Sequence, residues 1–183
     1  MDKHQLQIEM DTYKIRQLHD SEAMLYKAMR LEAIQTEPSM FRCSSPAEAD
    51  LTDEEWRERV KYPRAVFILL DNEIPIGMTS ILRLNEDEAY LGQSYIKKEY
   101  RGKGLSGLLY KIRMKWASKL PLKRLTVSHR ESNTISKAAN QRLGFVFTHR
   151  EPLNWLDGTT EDVLYYSLEL SQKVHHKEAL QDN

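Results

Sequence analysis

One glycine-rich stretch near the middle of the chain combines flexible backbone with positive charge. Gly102 and Gly104 are separated by Lys103, Arg101 comes directly before them, and Lys98 lies slightly upstream. Glycine lets a backbone turn tightly and bring its amide groups close to a ligand. A helical apolar pattern follows at once, so free amides and the positive end of a helix dipole would face the turn. These features together predict a binding site for an anion of the pyrophosphate type.

Two other kinds of phosphate loop fit this stretch less well. The chain lacks the Gly-x4-Gly-Lys-Ser/Thr spacing of a Walker loop. Gly102, Gly104 and Gly107 do match Gly-x-Gly-x-x-Gly. A dinucleotide site of that type follows the first strand of a parallel unit and has an acidic residue about 20 residues further on. Here the glycines follow predicted antiparallel strands in mid-chain and lack that acidic residue, which leaves a purely structural turn as the remaining alternative.

Periodicity predicts the elements that must position this loop. Strands are predicted at about 13–18, 65–70, 74–84, 89–96, 122–127, 145–147 and 163–168, and helices at about 21–37, 52–60, 105–116 and 135–143. This order indicates an α/β fold of the α+β type, with a mixed, mostly antiparallel sheet of six to seven strands and helices on both faces. We expect one domain at 13–170, after an N-terminal extension at 1–12 and before a polar tail at 171–183.

Composition narrows the class of protein. The chain has 27 basic and 27 acidic residues, so its net charge indicates no partner. It lacks the roughly 20 apolar residues in succession that a membrane helix requires, and its first residues do not resemble a secretion signal. Cys43 is the single cysteine, which excludes an intrachain disulfide and a cysteine cluster for zinc. We therefore expect a cytoplasmic protein that needs no metal and does not bind a membrane.

Two motifs resemble one known family. The pattern Arg101-x-x-Gly104-x-Ser106 resembles the Arg/Gln-x-x-Gly-x-Gly/Ala signature of the GCN5-related N-acetyltransferases. Downstream, Asn133 opens a predicted helix that finishes in Gly144-Phe145, which is similar to the second motif of that family. The order of strands and helices over about 13–170 also fits. Either motif alone would only suggest the family, and the two together identify the resemblance.

The resemblance implies a site for acetyl-coenzyme A, used as a cosubstrate. The backbone of the signature loop would hold the pyrophosphate, through Arg101, Gly102, Lys103, Gly104, Leu105 and Ser106. Backbone groups of Tyr95 and Ile96 would pair with the pantetheine arm, because that strand separates from its parallel neighbour at 122–127. Asn133 and Asn140 would contact the same arm. A backbone N–H near the end of the strand would stabilise the oxyanion.

The catalytic residues are less well defined by the resemblance. Many family members carry a tyrosine seven residues after the asparagine, as the acid that protonates the leaving thiolate, and this chain has Asn140 there. Ser136, one helical turn earlier, carries the nearest hydroxyl, and the thiolate could also leave unassisted. For the base, His129 follows the fifth predicted strand; the alternative is a surface histidine. The acidic turn at 86–88 is expected to be a solvated hairpin tip.

The expected function is transfer of an acetyl group to a primary amine of a small molecule or peptide, by direct attack. The acidic run at 48–58 favours a cationic acceptor. A non-catalytic acyl-coenzyme A sensor is the alternative. Nucleic-acid binding by the basic segment 97–130 is disfavoured, since aromatic residues do not interleave with its charges. The acceptor, the acyl chain length and the oligomeric state, including a homodimer, stay open.

Overall fold

The structure is a computed structural model that describes residues 5–171. Within this range the chain forms eight strands and four α-helices, joined by loops and short 3-10 turns. The strands are β1 (Gln7–Met10), β2 (Tyr13–Gln17), β3 (Arg64–Asp71), β4 (Ile74–Arg83), β5 (Glu88–Ile96), β6 (Arg124–Arg130), β7 (Val146–Asn154) and β8 (Thr160–Glu169). The helices are α1 (Ala23–Thr36), α2 (Asp53–Glu58), α3 (Ser106–Ala117) and α4 (Thr134–Arg142).

All described strands join one open sheet in the order β1-β2-β3-β4-β5-β6-β8-β7. Every neighbouring pair is antiparallel except β5 and β6. The predicted mixed, mostly antiparallel sheet is therefore confirmed, with eight strands instead of six to seven. The additional strand β1 lies within the segment expected to be an N-terminal extension and pairs with β2. The predicted polar tail, apart from Ser171, lies outside the described residues.

Helices cover both faces of the sheet, as predicted. One face packs against α3 and the other against α1 and α2, and each interface has its own buried cluster. In the second cluster the ring of Tyr26 meets the edge of Trp56, with centroids 5.2 Å apart. Connections between parallel strands are right-handed. That rule places α4, which links β6 to the parallel strand β7, on the same face as α3.

The parallel pairing of β5 and β6 is short. Their register pairs Glu88 with Arg124, Ala89 with Leu125, and Tyr90 with Thr126. Beyond Tyr90 the two strands separate, although β5 continues to Ile96 and β6 to Arg130. We call the opening between residues 91–96 and 127–130 the fork, with its closed end at Tyr90 and its mouth at Ile96. The separation that the resemblance implied is thus present.

A bulge in β5 lies within the fork. On the β4 side, Met78 pairs with Tyr95 but Ser80 pairs with Gly92, so β5 contains one extra residue. Gln93 adopts a positive φ of 57° at this point. The hydroxyl of Tyr26, a fully buried side chain of α1, donates a hydrogen bond to the Gln93 side-chain oxygen at 2.8 Å. Helix α1 therefore helps to hold the bulge in place.

A glycine on β4 determines how closely β5 approaches at the mouth. A Cβ added at Gly77 would lie 2.5 Å from the backbone oxygen of Tyr95. We expect Gly77→Ala to lower the free energy of unfolding by roughly 1–3 kcal/mol, because neither backbone can move freely. Gly107→Ala is the control, since its Cβ would meet no atom within 4 Å; in a helix this change should stabilise by up to about 1 kcal/mol. Urea unfolding measures both, and equal effects would contradict the prediction.

Candidate functional site

We call residues 101–106, where the anion site was predicted, the phosphate loop. Its surface is open. Gly102 and Gly104 adopt φ values of 77° and 76°, in the left-handed region that favours glycine. A Cβ placed on either residue would meet no atom within 4 Å. Glycine is therefore required here by backbone conformation and not by crowding. The space above the loop is available to a ligand that approaches the backbone.

The amides of this loop are free to bind such a ligand. The N–H of Arg101 donates to the carbonyl of Lys98 at 3.2 Å, and the N–H of Gly107 donates to that of Gly104 at 3.2 Å. Between them, the amides of residues 102–106 have no hydrogen-bond acceptor in good geometry within the part of the chain that the structure describes. They lie at the amino end of α3, which begins without a side-chain cap. Free amides at a helix N-terminus form an anion site.

The basic side chains around the loop divide into two groups. Arg101 donates through Nε to the Ile96 carbonyl at 2.9 Å, and its guanidinium forms an ion pair with Glu37, just after α1. Lys97 forms a longer ion pair of 3.4 Å with Glu32 of α1. Two lysines have no carboxylate within 4.0 Å among residues 5–171; they are Lys98 and Lys103. These two can supply counter-charge to a bound anion, while Arg101 ties the loop to α1.

Backbone groups of β5 face the fork at its mouth. The N–H of Lys97 donates to the carbonyl of Ile76 on β4 at 2.8 Å. Because backbone polar groups alternate in direction along an antiparallel strand, those of Ile96 face the fork and those of Tyr95 face β4. The Tyr95 side chain is buried on the α1 side, where its hydroxyl lies 3.3 Å from Thr36 Oγ1. Burial raises the pKa of the Tyr95 phenol.

Helix α4 presents a polar face to the sheet. Asn133 caps it: the Ser136 N–H donates to Asn133 Oδ1 at 3.1 Å. Among the described residues, the partner of Asn133 Nδ2 is the sulfur of Met40, at 3.8 Å. The half-buried positions at one side of the helix are polar or small; they are Asn133, Ser136, Ala139 and Asn140. The helix predicted at about 135–143 is present, but its apolar residues do not pack inward, since Ile135 is 83% exposed and no residue of α4 is buried. The side of α4 that faces inward is suited to a polar ligand.

His129 is not a surface residue. It is 6% exposed, and its ring stacks on Tyr166 with centroids 5.1 Å apart. Its Nδ1 lies 2.7 Å from the carbonyl of Arg130; since a carbonyl can only accept, Nδ1 carries the hydrogen. Nε2 is shielded from solvent and has no partner among the described residues. A ligand could donate a hydrogen bond to this nitrogen only after neighbouring side chains had moved.

The acidic turn before β5 lies away from the fork mouth. Asp87 pairs with Lys123 and Glu88 with Arg124, each at 3.5 Å. Both pairs are at the end where β5 and β6 are hydrogen-bonded. The turn is therefore a charged hairpin tip, as the sequence indicated. Carboxylates of the acidic run 48–58 are likewise used within the fold, since buried Glu48 pairs with Arg30 at 3.0 Å and Asp53 with Lys27 at 3.2 Å.

A loop that sequence reasoning did not connect with the site crosses the fork on the α1 face. We call residues 37–43 the crossing loop. Its first residue is paired with Arg101 of the phosphate loop, and the Ser39 carbonyl accepts a hydrogen bond from Arg130 of β6 at 3.0 Å. Further along, the Cys43 N–H donates to the carbonyl of Asn154 at 3.0 Å. The crossing loop thus joins both sides of the fork.

Arg42 extends from the crossing loop toward the closed end of the fork. Its guanidinium donates to the hydroxyls of Tyr165 at 3.0 Å and Tyr90 at 3.2 Å, and also to Ser128 Oγ. The Tyr165 hydroxyl donates in turn to Glu151 at 2.7 Å. No pattern in the sequence indicated this cluster, because its members are single residues from one loop and four strands.

Trp155 packs next to the crossing loop. It is buried, its indole N–H donates to the carbonyl of Glu161 at 2.9 Å, and Arg130 lies over its ring at 5.2 Å. Arg130 also pairs with Asp157 and Glu161, at 2.8 and 2.9 Å. Trp155 is therefore a packing residue.

The chain matches the family model described as "Acetyltransferase (GNAT) family" over residues 28–145. It therefore belongs to the GNAT acetyltransferase family. Among described residues, none of the helices is both long and apolar enough to cross a membrane. A search of curated proteins finds no match.

Several solved structures share the fold. The ribosomal-protein-S5-alanine acetyltransferase of Vibrio fischeri is 20% identical, with a TM-score of 0.73 over 91% of this chain and 98% of its own. A GNAT-family acetyltransferase of Streptococcus pneumoniae is 20% identical, with a TM-score of 0.70 over 86% of this chain and 99% of its own. The yncA protein of Salmonella typhimurium, solved with acetyl-coenzyme A, is 15% identical, with a TM-score of 0.70 over 89% and 96%. At these identities the likeness establishes the fold.

The turn that holds Arg130 yields a pH prediction. Hydrogen bonds from Thr159, together with Arg130, lower the pKa of Asp157 from 3.8 to about 2. A carboxyl whose pKa is lowered by folding stabilises the protein above its unfolded pKa and loses that contribution as pH falls toward the folded value. We expect Asp157→Asn to reduce stability by a constant amount above about pH 5, and by less as pH falls below about 4. Denaturant unfolding of both proteins across this range measures the difference; a gap independent of pH would refute the assignment.

Proposed function

We propose that this protein transfers an acetyl group from acetyl-coenzyme A to a primary amine of a peptide or small molecule. The observation that carries the proposal is the run of free amides at residues 102–106, on a loop with an open surface beside the fork. Solved members of the fold with coenzyme A or acetyl-coenzyme A bound support the choice of cosubstrate. Neighbours described as acetyltransferases of ribosomal proteins support a peptide amine as one class of acceptor.

The residues present fit the coenzyme in three places. The free amides of the phosphate loop would hold the pyrophosphate, and Lys98 and Lys103 would supply counter-charge. The backbone of Ile96 would pair with the pantetheine arm as an added strand would. Asn133 Nδ2, which has only a weak sulfur partner, would donate to a carbonyl of the same arm. The fork would then admit the thioester from the α4 side of the sheet to the α1 side.

The chemistry requires a C–N bond to form as the C–S bond breaks. The amine attacks the thioester carbon, and a backbone N–H of β5 near the bulge stabilises the developing oxyanion. The leaving thiolate belongs to a thiol with a pKa of about 8.5, so it can depart without an acid. Ser136 and Asn140 lie on the inward side of α4, where a hydroxyl or amide could donate to the sulfur. Asn140 itself cannot supply a proton.

Glu32 is better placed than His129 to accept the proton of the amine. It lies on α1 beside the mouth of the fork, where its Oε1 is 3.4 Å from Lys97 Nζ. Its side chain is 37% exposed, whereas His129 is 6% exposed and already carries a hydrogen on Nδ1. A carboxylate that is accessible in this way can accept a proton from a group that reaches it. An amine or ammonium group of the acceptor would be such a donor.

The alternative of a non-catalytic acyl-coenzyme A sensor rests on one feature, the absence of a tyrosine at the Asn140 position. Binding and turnover separate the two functions. A sensor would bind acetyl-coenzyme A and acetylate none of a broad panel of amines. An enzyme would acetylate at least one of them.

The cosubstrate site is tested by adding a negative charge to the phosphate loop. Gly104→Asp should weaken binding of acetyl-coenzyme A by about tenfold or more, through repulsion of the phosphates. Gly158→Asp is a matched control, because Gly158 also has a positive φ, of 84°, and open space around its Cβ. It lies in the β7–β8 turn, so binding should stay within about twofold of wild type.

Calorimetry with each folded protein provides the measurement. The site is supported if the wild type and the control bind acetyl-coenzyme A with a Kd on the order of micromolar and Gly104→Asp does not bind it. Equal loss in both variants, or no binding by the wild type, would sink the proposal.

The role of Glu32 is tested with Glu32→Gln. We expect kcat for a primary amine to fall by about 100-fold or more, the usual effect of removing a general base. Acetyl-coenzyme A binding should not change, since Glu32 does not contact the phosphate loop. With a hydrazide acceptor, which is already neutral at pH 7, the loss of kcat should be much smaller. An equal loss with both acceptors would show that Glu32 does not remove the proton.

A further inference from the structure

We propose that Arg42 binds a carboxylate of the acceptor, so that the acceptor carries both an amine and a carboxylate. The amine part of this statement rests on the function proposed above. The carboxylate part rests on the charge, burial and hydrogen bonds of Arg42 and its neighbours.

The first observation is the charge balance of Arg42. Its three hydrogen-bond partners are the hydroxyls of Tyr90, Ser128 and Tyr165, all of them neutral. Among the described residues, no carboxylate lies within 4.0 Å of its guanidinium. By contrast, the buried Arg30 and the shielded Arg130 each pair with a carboxylate. The carboxylate of this cluster, Glu151, is linked to Arg42 only through the Tyr165 hydroxyl. Arg42 is half-buried, and a partly desolvated cation without a direct counter-ion is unfavourable.

The second observation is the set of donors that surrounds the guanidinium. A guanidinium has five N–H donors, and three hydrogen bonds account for part of them. An arginine flanked by hydroxyls is suited to a planar, two-oxygen anion. A carboxylate would satisfy the remaining arginine donors.

The third observation is the position of the cluster. It lies on the α1 face of the sheet, at the closed end of the fork. Tyr90 precedes the bulge residue Gln93 by three positions, or roughly 10 Å of extended strand. The amine would react nearer the bulge, so its carboxylate must lie several bonds away. An α-amino acid, whose two groups are attached to one carbon, is too short, whereas a short peptide or a longer amino acid can reach both.

The positive charge of Arg42 also makes this end of the fork unfavourable for a polycationic acceptor. A polyamine would bring another positive charge toward Arg42, and most carboxylates of the acidic run are already paired within the fold. The cationic acceptor favoured by the sequence is therefore less suited to this surface than a zwitterionic one.

The test compares a tripeptide that has a free C-terminal carboxylate with the same peptide amidated at its C-terminus. In the wild type, KM should be lower for the carboxylate form by about tenfold or more, with similar kcat. Arg42→Gln should bring the two KM values within about twofold of each other, mainly by raising that of the carboxylate form. Arg42→Lys keeps the charge but loses the planar guanidinium with its paired donors, so the ratio of the two KM values should be intermediate.

Arg150→Gln is the matched control. Arg150 lies on β7 and pairs with Glu131 and Asp162, both at 2.6 Å, so its charge is already balanced. The control should retain the wild-type ratio of KM values. A wild-type ratio near one, or an equal loss of the ratio in Arg150→Gln, would overturn the proposal.

A binding measurement separates this proposal from the proposed function. The N-acetylated peptides, as carboxylate and as amide, are titrated into the protein in the presence of coenzyme A. A preference for the carboxylate that is lost in Arg42→Gln supports the site even if no amine is acetylated. Turnover of both peptides without any such preference supports the function and refutes the site. Binding of neither peptide by the wild type would also refute it.

Discussion

The short parallel pairing of β5 and β6 is the constraint on which the rest of the structure depends. Only three residue pairs join these strands, whereas long antiparallel ladders hold β5 to β4 and β6 to β8. The outer ladders keep the two strands apart once they have separated. Polar backbone groups inside the fork must then find partners other than a neighbouring strand. The phosphate loop, α4 and the crossing loop all lie around that opening.

The fork also connects two surfaces that a continuous sheet would keep apart. On the side of α3 and α4 the chain presents free amides and a polar helix face. On the side of α1 and α2 it presents a carboxylate at the mouth, Glu32, and a guanidinium at the closed end, Arg42. Donor and acceptor can therefore approach from opposite faces and meet within the sheet. This arrangement is consistent with direct transfer between two bound molecules.

The sequence was most informative where local conformation and chemistry coincide. Gly102 and Gly104 could be singled out because a tight turn before a helix requires glycine, and both do adopt positive φ. Helix α3 and the order of the later strands were predicted because the spacing of their apolar residues is a local property of the sequence. Strand β1 was missed because it has only four residues and most of them are exposed, so that no alternation marks it.

The acceptor side could not be predicted, because distant segments build it. Arg42 is 86 residues from Ser128 and 123 from Tyr165, and no local pattern records those contacts. The orientation of α4 could not be predicted for a related reason. Its apolar residues have helical spacing, but the sequence does not show which side faces the sheet, and the structure turns Ile135 outward. For His129 the sequence left a base or a surface histidine open, and the alternation of β6 directs it into the core instead.

Helix α4 has a further consequence for how the fold responds to occupancy. A helix in a globular protein usually gains most of its stability by burying an apolar side, and a nine-residue helix is marginal alone. Since α4 has no fully buried side chain, apolar burial contributes little to its docking, and the Asn133 cap is one of the few contacts that hold it. Local opening of this segment should therefore require much less free energy than global unfolding. A molecule held between α4 and the sheet would supply the missing contacts. Ordering of α4 and binding of that molecule are therefore thermodynamically linked.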